Sequence, residues 1–178
     1  MKQLDEYEGH WISTYTGKKF HYLAPKSEEI DIRDIAHALS LTCRFGGHCR
    51  EFYSVAQHSV LVAQELPAED RKLRLAGLLH DAHEAYLHDV PRPMKQDIQG
   101  YKELANSIQE VINGKFGVWY RTQTNLQVPY VVDLSDRKEI KFADDVLCAT
   151  EARDLGLVIT DWAKLPEPLE DRIDPWTP

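Results

Sequence analysis

Between Leu73 and Tyr86 the chain reads Leu-Arg-Leu-Ala-Gly-Leu-Leu-His-Asp-Ala-His-Glu-Ala-Tyr, an apolar helical run with ionisable groups set into its middle. Ionisable side chains are rarely buried without a partner. A fold that takes this run into its core must therefore supply one, and a divalent cation is the simplest. Adjacent residues on a helix point about 100° apart, so His80 and Asp81 straddle one point beside the axis. Glu84 follows His80 by four residues and Asp81 by three, which sets it one turn on and between them. Two ligands and a general base beside an activated water are the chemistry this layout suits. A salt-bridged amphipathic helix is the competing reading, and the rest of the chain has to decide between them.

The flanking helices bear on that choice. Ser54-Val55-Ala56-Gln57 is a capping box, with Ser as N-cap and Gln at N3. It predicts a helix through Val60, Leu61, Val62 and Ala63 to about Glu65, ended by Pro67. The next helix is predicted from near Ala68-Glu69-Asp70 to about His88. So short a link makes the two antiparallel neighbours. Residues equally far from the turn then stand opposite each other, which brings His58 and His80 within about one helical turn, roughly 5 Å, of the same height. Downstream, Ser135 or Asp136 opens a helix running through Ile140, Phe142, Ala143, Val146, Leu147 and Ala149 to Leu155-Gly156. Asp144 and Asp145 interrupt its apolar face. Asp144 shares a face with Ile140, Leu147 and Cys148 and is the preferred fourth ligand; Asp145 remains the alternative. Two imidazoles and two carboxylates suit Mn²⁺, Fe²⁺, Co²⁺, Ni²⁺ or Zn²⁺, and Mg²⁺ is a further candidate.

Other segments frame this centre. Residues 11–23 place aromatic and β-branched residues around Thr16-Gly17-Lys18, a short β-hairpin that must pack on something else. Residues 28–41 read as an amphipathic helix, with His37 a satisfied, partly buried histidine beside the stripe. Residues 42–53 hold Gly46-Gly47, Arg44, His48 and Arg50 among Phe45, Phe52 and Tyr53. That is either a surface loop or a phosphate-binding loop able to stack a base or sugar. The prolines of Asp89-Val90-Pro91-Arg92-Pro93-Met94-Lys95 stop the helix before them. They leave Arg92 and Lys95 just past its end and Asp89 within reach of the same cleft. Tyr101–Phe116 is amphipathic, residues 118–132 read as a loop with extended pieces including Val128–Val132, and residues 160–178 read as an arm packed by Trp162 and Trp176 or used as an oligomer contact.

Composition narrows the function classes. The 178 residues, 43% apolar and with a formal net charge of −8, fit one domain with a real core. No basic stripe points to nucleic acid, and no apolar run approaches a membrane span. The acidic start, Met1-Lys2-Gln3-Leu4-Asp5-Glu6, lacks the apolar stretch of a signal peptide. Three cysteines without a CxxC pair argue for free thiols rather than a disulfide framework or a thiolate zinc site. The expectation is a cytoplasmic, mostly α, single-domain helical bundle over residues 1–178, its core at about 31–155, with a small N-terminal β-hairpin. A homo-oligomer, dimer or higher, is the expected assembly.

His58, then His80-Asp81, then Asp144 resembles the H…HD…D pattern of HD-domain metal-dependent phosphohydrolases. Within that superfamily the chain is most similar to small 5′-deoxynucleotidases and to phage-type deoxynucleoside triphosphate hydrolases. Arg44-Phe45 resembles their Arg followed by an aromatic, and His80 to Lys95 reproduces their HDxxE…D-(I/L/V)-P-x-P-x-K run. The resemblance implies an HD-type bundle in which His58, His80, Asp81 and Asp144 hold the metal and Glu84 positions or deprotonates the attacking water. It implies that Arg44 and Lys95 bind the phosphate, that Phe45 and Asp89 lie against the sugar and that Pro93 lies near the base. The deoxynucleotidases usually carry Trp where this chain has Phe45. His83 is a candidate donor to a bridging oxygen or leaving group. The implied activity is hydrolysis of a nucleotide monophosphate; release of tripolyphosphate from a triphosphate and a non-catalytic nucleotide sensor are the alternatives.

Overall fold

A two-stranded hairpin is marginal alone in water, and the computed structural model, which describes residues 9–121, 131–133, 138–159 and 164–177, shows what this one leans on. Strands β1 (Ile12–Ser13) and β2 (Lys19–Phe20) pair antiparallel, with Ile12 opposite Phe20. Gly17, at φ 82°, takes the left-handed position of their turn. The backbone N–H and hydroxyl of Thr16 both donate to the Asp34 carboxylate, at 2.6 and 3.0 Å, and Asp34 is only 2% exposed. Phe20 is fully buried and stacks on Tyr86 at 3.8 Å between ring centres. The hairpin thus grips the helix that carries Asp34 and the segment that carries Glu84. Asp34→Ala, which removes two charge-assisted hydrogen bonds from the half-buried Thr16, is expected to cost about 1–3 kcal/mol in urea unfolding; an unchanged midpoint would show that the hairpin is not held by this carboxylate.

Helix α1 spans Ile32–Leu41, shorter than the predicted 28–41, because Asp31 caps it by accepting from the Arg33 N–H and a 3₁₀ turn occupies Ser27–Glu29. His37 is exposed, not partly buried, and stacks on Tyr15 at 3.9 Å. Helices α2 (Val55–Glu65) and α3 (Arg71–Leu79) form the expected antiparallel pair. Gly77 permits their close approach, since a Cβ there would run into Leu66. Ser54 caps α2 through the Gln57 N–H. The Gln57 side chain does not return to complete the box. It holds the C-terminal arm instead, donating to the Asp174 carbonyl and accepting from the Trp176 N–H, both at 2.8 Å.

The predicted single helix from 68 to 88 is broken. After Leu79 the backbone tightens into i→i−3 bonds, Ala82 N–H to Leu79 O and Glu84 N–H to Asp81 O, both at 3.0 Å, before α4 (Glu84–Leu87) resumes. Leu75 and Leu78 face outward at 36 and 37% exposure, while Leu73, Ala76 and Leu79 are buried. A short helix follows the prolines, α5 (Arg92–Asp97), and α6 spans Tyr101–Phe116 as predicted. Strands β3 (Trp119–Arg121) and β4 (Val131–Asp133) pair antiparallel where the sequence predicts a loop with extended pieces. Helix α7 runs Lys138–Leu155. The extended run at Val128–Tyr130, the helix start at Ser135 or Asp136, and Trp162 lie outside the described residues.

Helix α2 is central, packed against α1, α3 and α7. One core gathers Ile35, Val62, Leu79, Ile108, Ile140 and Leu147, and a second cluster of Phe45, Tyr53, Ala152 and Leu155 joins it through Leu61 and Ile173. The molecule is therefore a single, mostly helical domain with an N-terminal hairpin. Among the described residues of the arm, Leu169 and Ile173 pack against the core, while Trp176 is 49% exposed. No helix among the described residues is long and apolar enough to cross a membrane.

Candidate metal centre

Facing helices bring the two histidines together as the hairpin geometry predicts. His58, on the second turn of α2, is fully buried, and His80 caps the C-terminus of α3. Their Nε2 atoms lie 3.3 Å apart. The 3₁₀ tightening after Leu79 gives nearly three residues per turn, so Asp81 and Glu84 come to one side. Asp81 Oδ2 stands 3.1 Å from His80 Nε2 and 3.8 Å from His58 Nε2. From α7, Asp144 Oδ1 lies 3.4 Å from His58 Nε2. Asp145, the alternative ligand, instead pairs with Arg92 at 3.1 Å and with Lys141.

Hydrogen bonds on the far sides of the rings decide what the near sides present. His80 Nδ1 is 2.7 Å from the Gly77 carbonyl, which can only accept, so that nitrogen donates. His58 Nδ1 is 2.6 Å from Glu151 Oε1, and the Arg44 guanidinium, with His58, holds that fully buried carboxylate ionised against the cost of burial. His58 Nδ1 therefore donates too. With Nδ1 donating in each ring, both Nε2 atoms point at the same place, where carboxylate oxygens also converge. Such a convergence needs a positive charge, which a proton on His80 or a bound cation supplies. Burial opposes a charge on His80, yet Asp81 pushes its imidazole up to about 9. Burial likewise acts to raise the Asp81 and Asp144 carboxyls, and the imidazoles beside them hold both well below their usual range. His58, His80 and Asp81 form a group that could hold a metal ion, their ligand atoms all within 4.8 Å of one another.

A cavity of about 250 Å³ opens beside this group, walled by Arg44, Phe45, Asp81, Glu84, Asp89, Val90, Arg92, Lys95, Lys141, Asp144 and Cys148. Glu84 is 1% exposed, and its Oε1 accepts from Lys95 Nζ at 2.6 Å. Its Oε2 has no hydrogen-bond partner among the described residues. Burial and the Asp81 charge push the Glu84 carboxyl up to about 8, with Lys95 pulling the other way. Cys148 stays a thiol, because burial pushes it up to about 11. Two residues with positive φ flank the wall, Phe45 (φ 56°) and His88 (φ 63°). Such strain tends to collect at functional sites.

Nine of the sequence-predicted site residues meet here: His58, His80, Asp81, Glu84, Asp89, Arg44, Phe45, Lys95 and Asp144. Two do not join the wall. Pro93 sits exposed in the first turn of α5. His83 turns to Gln109, whose Oε1 accepts from its backbone N–H and from Nδ1 at 3.1 and 3.0 Å. Burial lowers the His83 pKa, and this tautomer leaves Nε2 an acceptor rather than a donor to a leaving group. Gln109 also ties the turn to Leu79 O at 2.8 Å. Arg44 is no solvated loop cation. It is 8% exposed, bonded to Glu151 at 3.1 Å and 3.6 Å from Asp81, whereas His48 and Arg50 of the same loop are exposed. Glu151 is the residue the sequence reading missed. Its one signal is a spacing of seven from Asp144, which returns it to the same face of α7 amid apolar neighbours.

No family model matches the chain. It is 42% identical over 147 residues to the uncharacterized protein YfdR of Escherichia coli strain K12, covering 83% of this chain and 73% of that protein. It is 34% identical over 153 residues to an uncharacterized protein of Rhodobacter capsulatus, covering 82% of this chain and 73% of the relative.

Proposed function

The chain belongs to the family of the Escherichia coli protein YfdR, and we propose that it is a metal-dependent phosphohydrolase of HD type that cleaves a nucleotide monophosphate. The observation that supports this reading is the meeting of the His58 and His80 Nε2 atoms with Asp81 and Asp144 beside a cavity lined by Glu84, whose buried Oε2 has no hydrogen-bond partner among the described residues. A divalent ion held by His58, His80, Asp81 and Asp144 would supply Lewis acidity to the phosphoryl oxygens and lower the pKa of the attacking water.

The chain's own groups divide the remaining work. Glu84 Oε2 takes a proton from the attacking water while Lys95 fixes its other oxygen. The water oxygen bonds to phosphorus, the ester P–O bond breaks, and the sugar oxygen leaves as a hydroxyl by taking up a proton from solvent, Glu84 releasing its own to solvent afterwards. Lys95, Arg92 and Lys141 line the cavity with positive charge that offsets the charge developing on the phosphoryl oxygens. Phe45 and Val90 give a sugar or base an apolar surface, and Asp89 offers a sugar hydroxyl an acceptor.

Two features favour a monophosphate over a triphosphate. The cavity, about 250 Å³, is below the range of roughly 300–1,000 Å³ typical for larger ligands. Among the described residues each cation on its wall faces a carboxylate, Arg44 with Asp81, Arg92 with Asp144, Lys95 with Glu84 and Lys141 with Asp145, so the positive charge left over suits one phosphoryl group better than the larger charge of a polyphosphate. Incubated with Mn²⁺ or Co²⁺ and a panel of deoxy- and ribonucleotides, the protein is expected to release inorganic phosphate from deoxynucleoside monophosphates. Tripolyphosphate from a deoxynucleoside triphosphate would make it a triphosphohydrolase instead. Tight nucleotide binding with no turnover would make it a sensor.

A further inference from the structure

We infer that Glu151 is a positioning residue for the metal centre, that it fixes His58 with its proton on Nδ1, and that Arg44 belongs to this buried frame rather than serving as a free phosphate receptor. The inference rests on the metal-binding reading above and names groups which that reading leaves without a task.

The geometry is specific. The His58 ring is held between two carboxylates of one helix: Asp144 Oδ1 at 3.4 Å from Nε2 and Glu151 Oε1 at 2.6 Å from Nδ1. The two acids are seven residues apart, two turns of α7, so a single rigid element sets both sides of the imidazole. Glu151 and His58 are both 0% exposed. Water therefore cannot replace either partner, and the tautomer is fixed by the protein alone. A carboxylate behind a ligating imidazole orients the ring and strengthens its lone pair. Arg44 completes the frame. Its guanidinium reaches Glu151 Oε2 through Nε and a terminal nitrogen, both at 3.1 Å, and reaches Asp81 Oδ2 at 3.6 Å. One cation thus spans the carboxylate behind His58 and the carboxylate beside His80. What sets Arg44 apart from the other cations of the wall is that Nε and a terminal nitrogen are committed to Glu151, a carboxylate with no exposed surface.

The test is Mn²⁺ titration by electron paramagnetic resonance with no nucleotide present, joined to nitrogen-15 spectra of the histidine rings in the metal-free protein. In the wild type, His58 is expected to show a protonated Nδ1 and a bare Nε2. Glu151→Gln is expected to weaken Mn²⁺ binding by about 10- to 100-fold, the usual effect of losing such an outer partner. Should the unpaired Arg44 prevent that variant from folding, the double variant Arg44→Gln/Glu151→Gln removes both charges and is expected to show the same loss. Arg44→Gln alone is expected to weaken Mn²⁺ binding several-fold. Folded Glu151 variants that bind Mn²⁺ within twofold of wild type, or a wild-type His58 protonated on Nε2, would overturn the inference while leaving the metal centre standing. Arg44→Gln that loses only phosphate competition, with Mn²⁺ affinity intact, would return Arg44 to substrate binding. A wild type that binds no Mn²⁺ would remove the metal reading itself, and this inference with it.

Discussion

Asp81→Ala is expected to leave the protein folded, free of metal and without measurable hydrolysis. Asp81 Oδ2 is the carboxylate oxygen nearest both imidazoles, 3.1 Å from His80 and 3.8 Å from His58. Loss of an outer partner costs a metal site about 10–100-fold in affinity, so loss of a ligand itself is expected to cost on the order of a thousandfold or more. The fold should survive. The Asp81 side chain is 19% exposed, which leaves no sealed void, and Arg44 keeps its pair with Glu151. The paired measurements are metal content by mass spectrometry after purification in Mn²⁺ and phosphate release from a deoxynucleoside monophosphate. A variant with full metal content would show that Asp81 is not a ligand and would move the centre elsewhere. A variant that loses metal but keeps its rate would separate the ion from catalysis.

The residues of this site were legible in the sequence to different depths, for physical reasons. The His58–His80 pairing follows from two helix lengths and one short turn, quantities fixed by Ser54, Pro67 and the 1.5 Å helical rise. Asp144 over Asp145 follows from helical periodicity, because only Asp144 shares the face of the buried Ile140 and Leu147. Glu151 lay on that face as well, but on a helix of 18 residues rich in charge it resembled an ordinary solvated acid. Only the packing of α7 on α2 and on the Arg44 turn gives it partners. The same holds for Arg44, whose burial depends on a left-handed Phe45 and on an acid 107 residues away. The break at His80–His83 was hidden for a different reason. Its residues have helical dihedrals, His80 at φ −61° and ψ −33°, and local sequence does not distinguish an α-turn from the tighter i→i−3 turn that Gln109 secures. Substrate roles were least legible. The family resemblance put Pro93 near the base, whereas the short helix α5 carries it to the surface.

Glu84→Gln is expected to separate chemistry from binding. Gln keeps the shape of Glu and can still accept from Lys95, so the wall of the cavity and the ligands beside it should be unmoved. It cannot take a proton. General-base catalysis contributes about 10²–10⁴-fold, and kcat is expected to fall by that factor with KM and Mn²⁺ affinity within a few-fold of wild type. Two features favour this carboxyl over its neighbours as the proposed base. Asp81 and Asp144 are held well below their usual range by the imidazoles and are poor proton acceptors, whereas burial and the Asp81 charge make Glu84 the more basic acid. Asp89 shares the wall, yet it is Glu84 that keeps a buried oxygen with no partner among the described residues. Steady-state kinetics and a Mn²⁺ titration on the same preparation decide the matter. If Glu84→Gln turns over at the wild-type rate, the proton goes elsewhere, with Asp89 the next acceptor on the wall. If it loses Mn²⁺ together with activity, Glu84 is part of the metal's hold rather than the base.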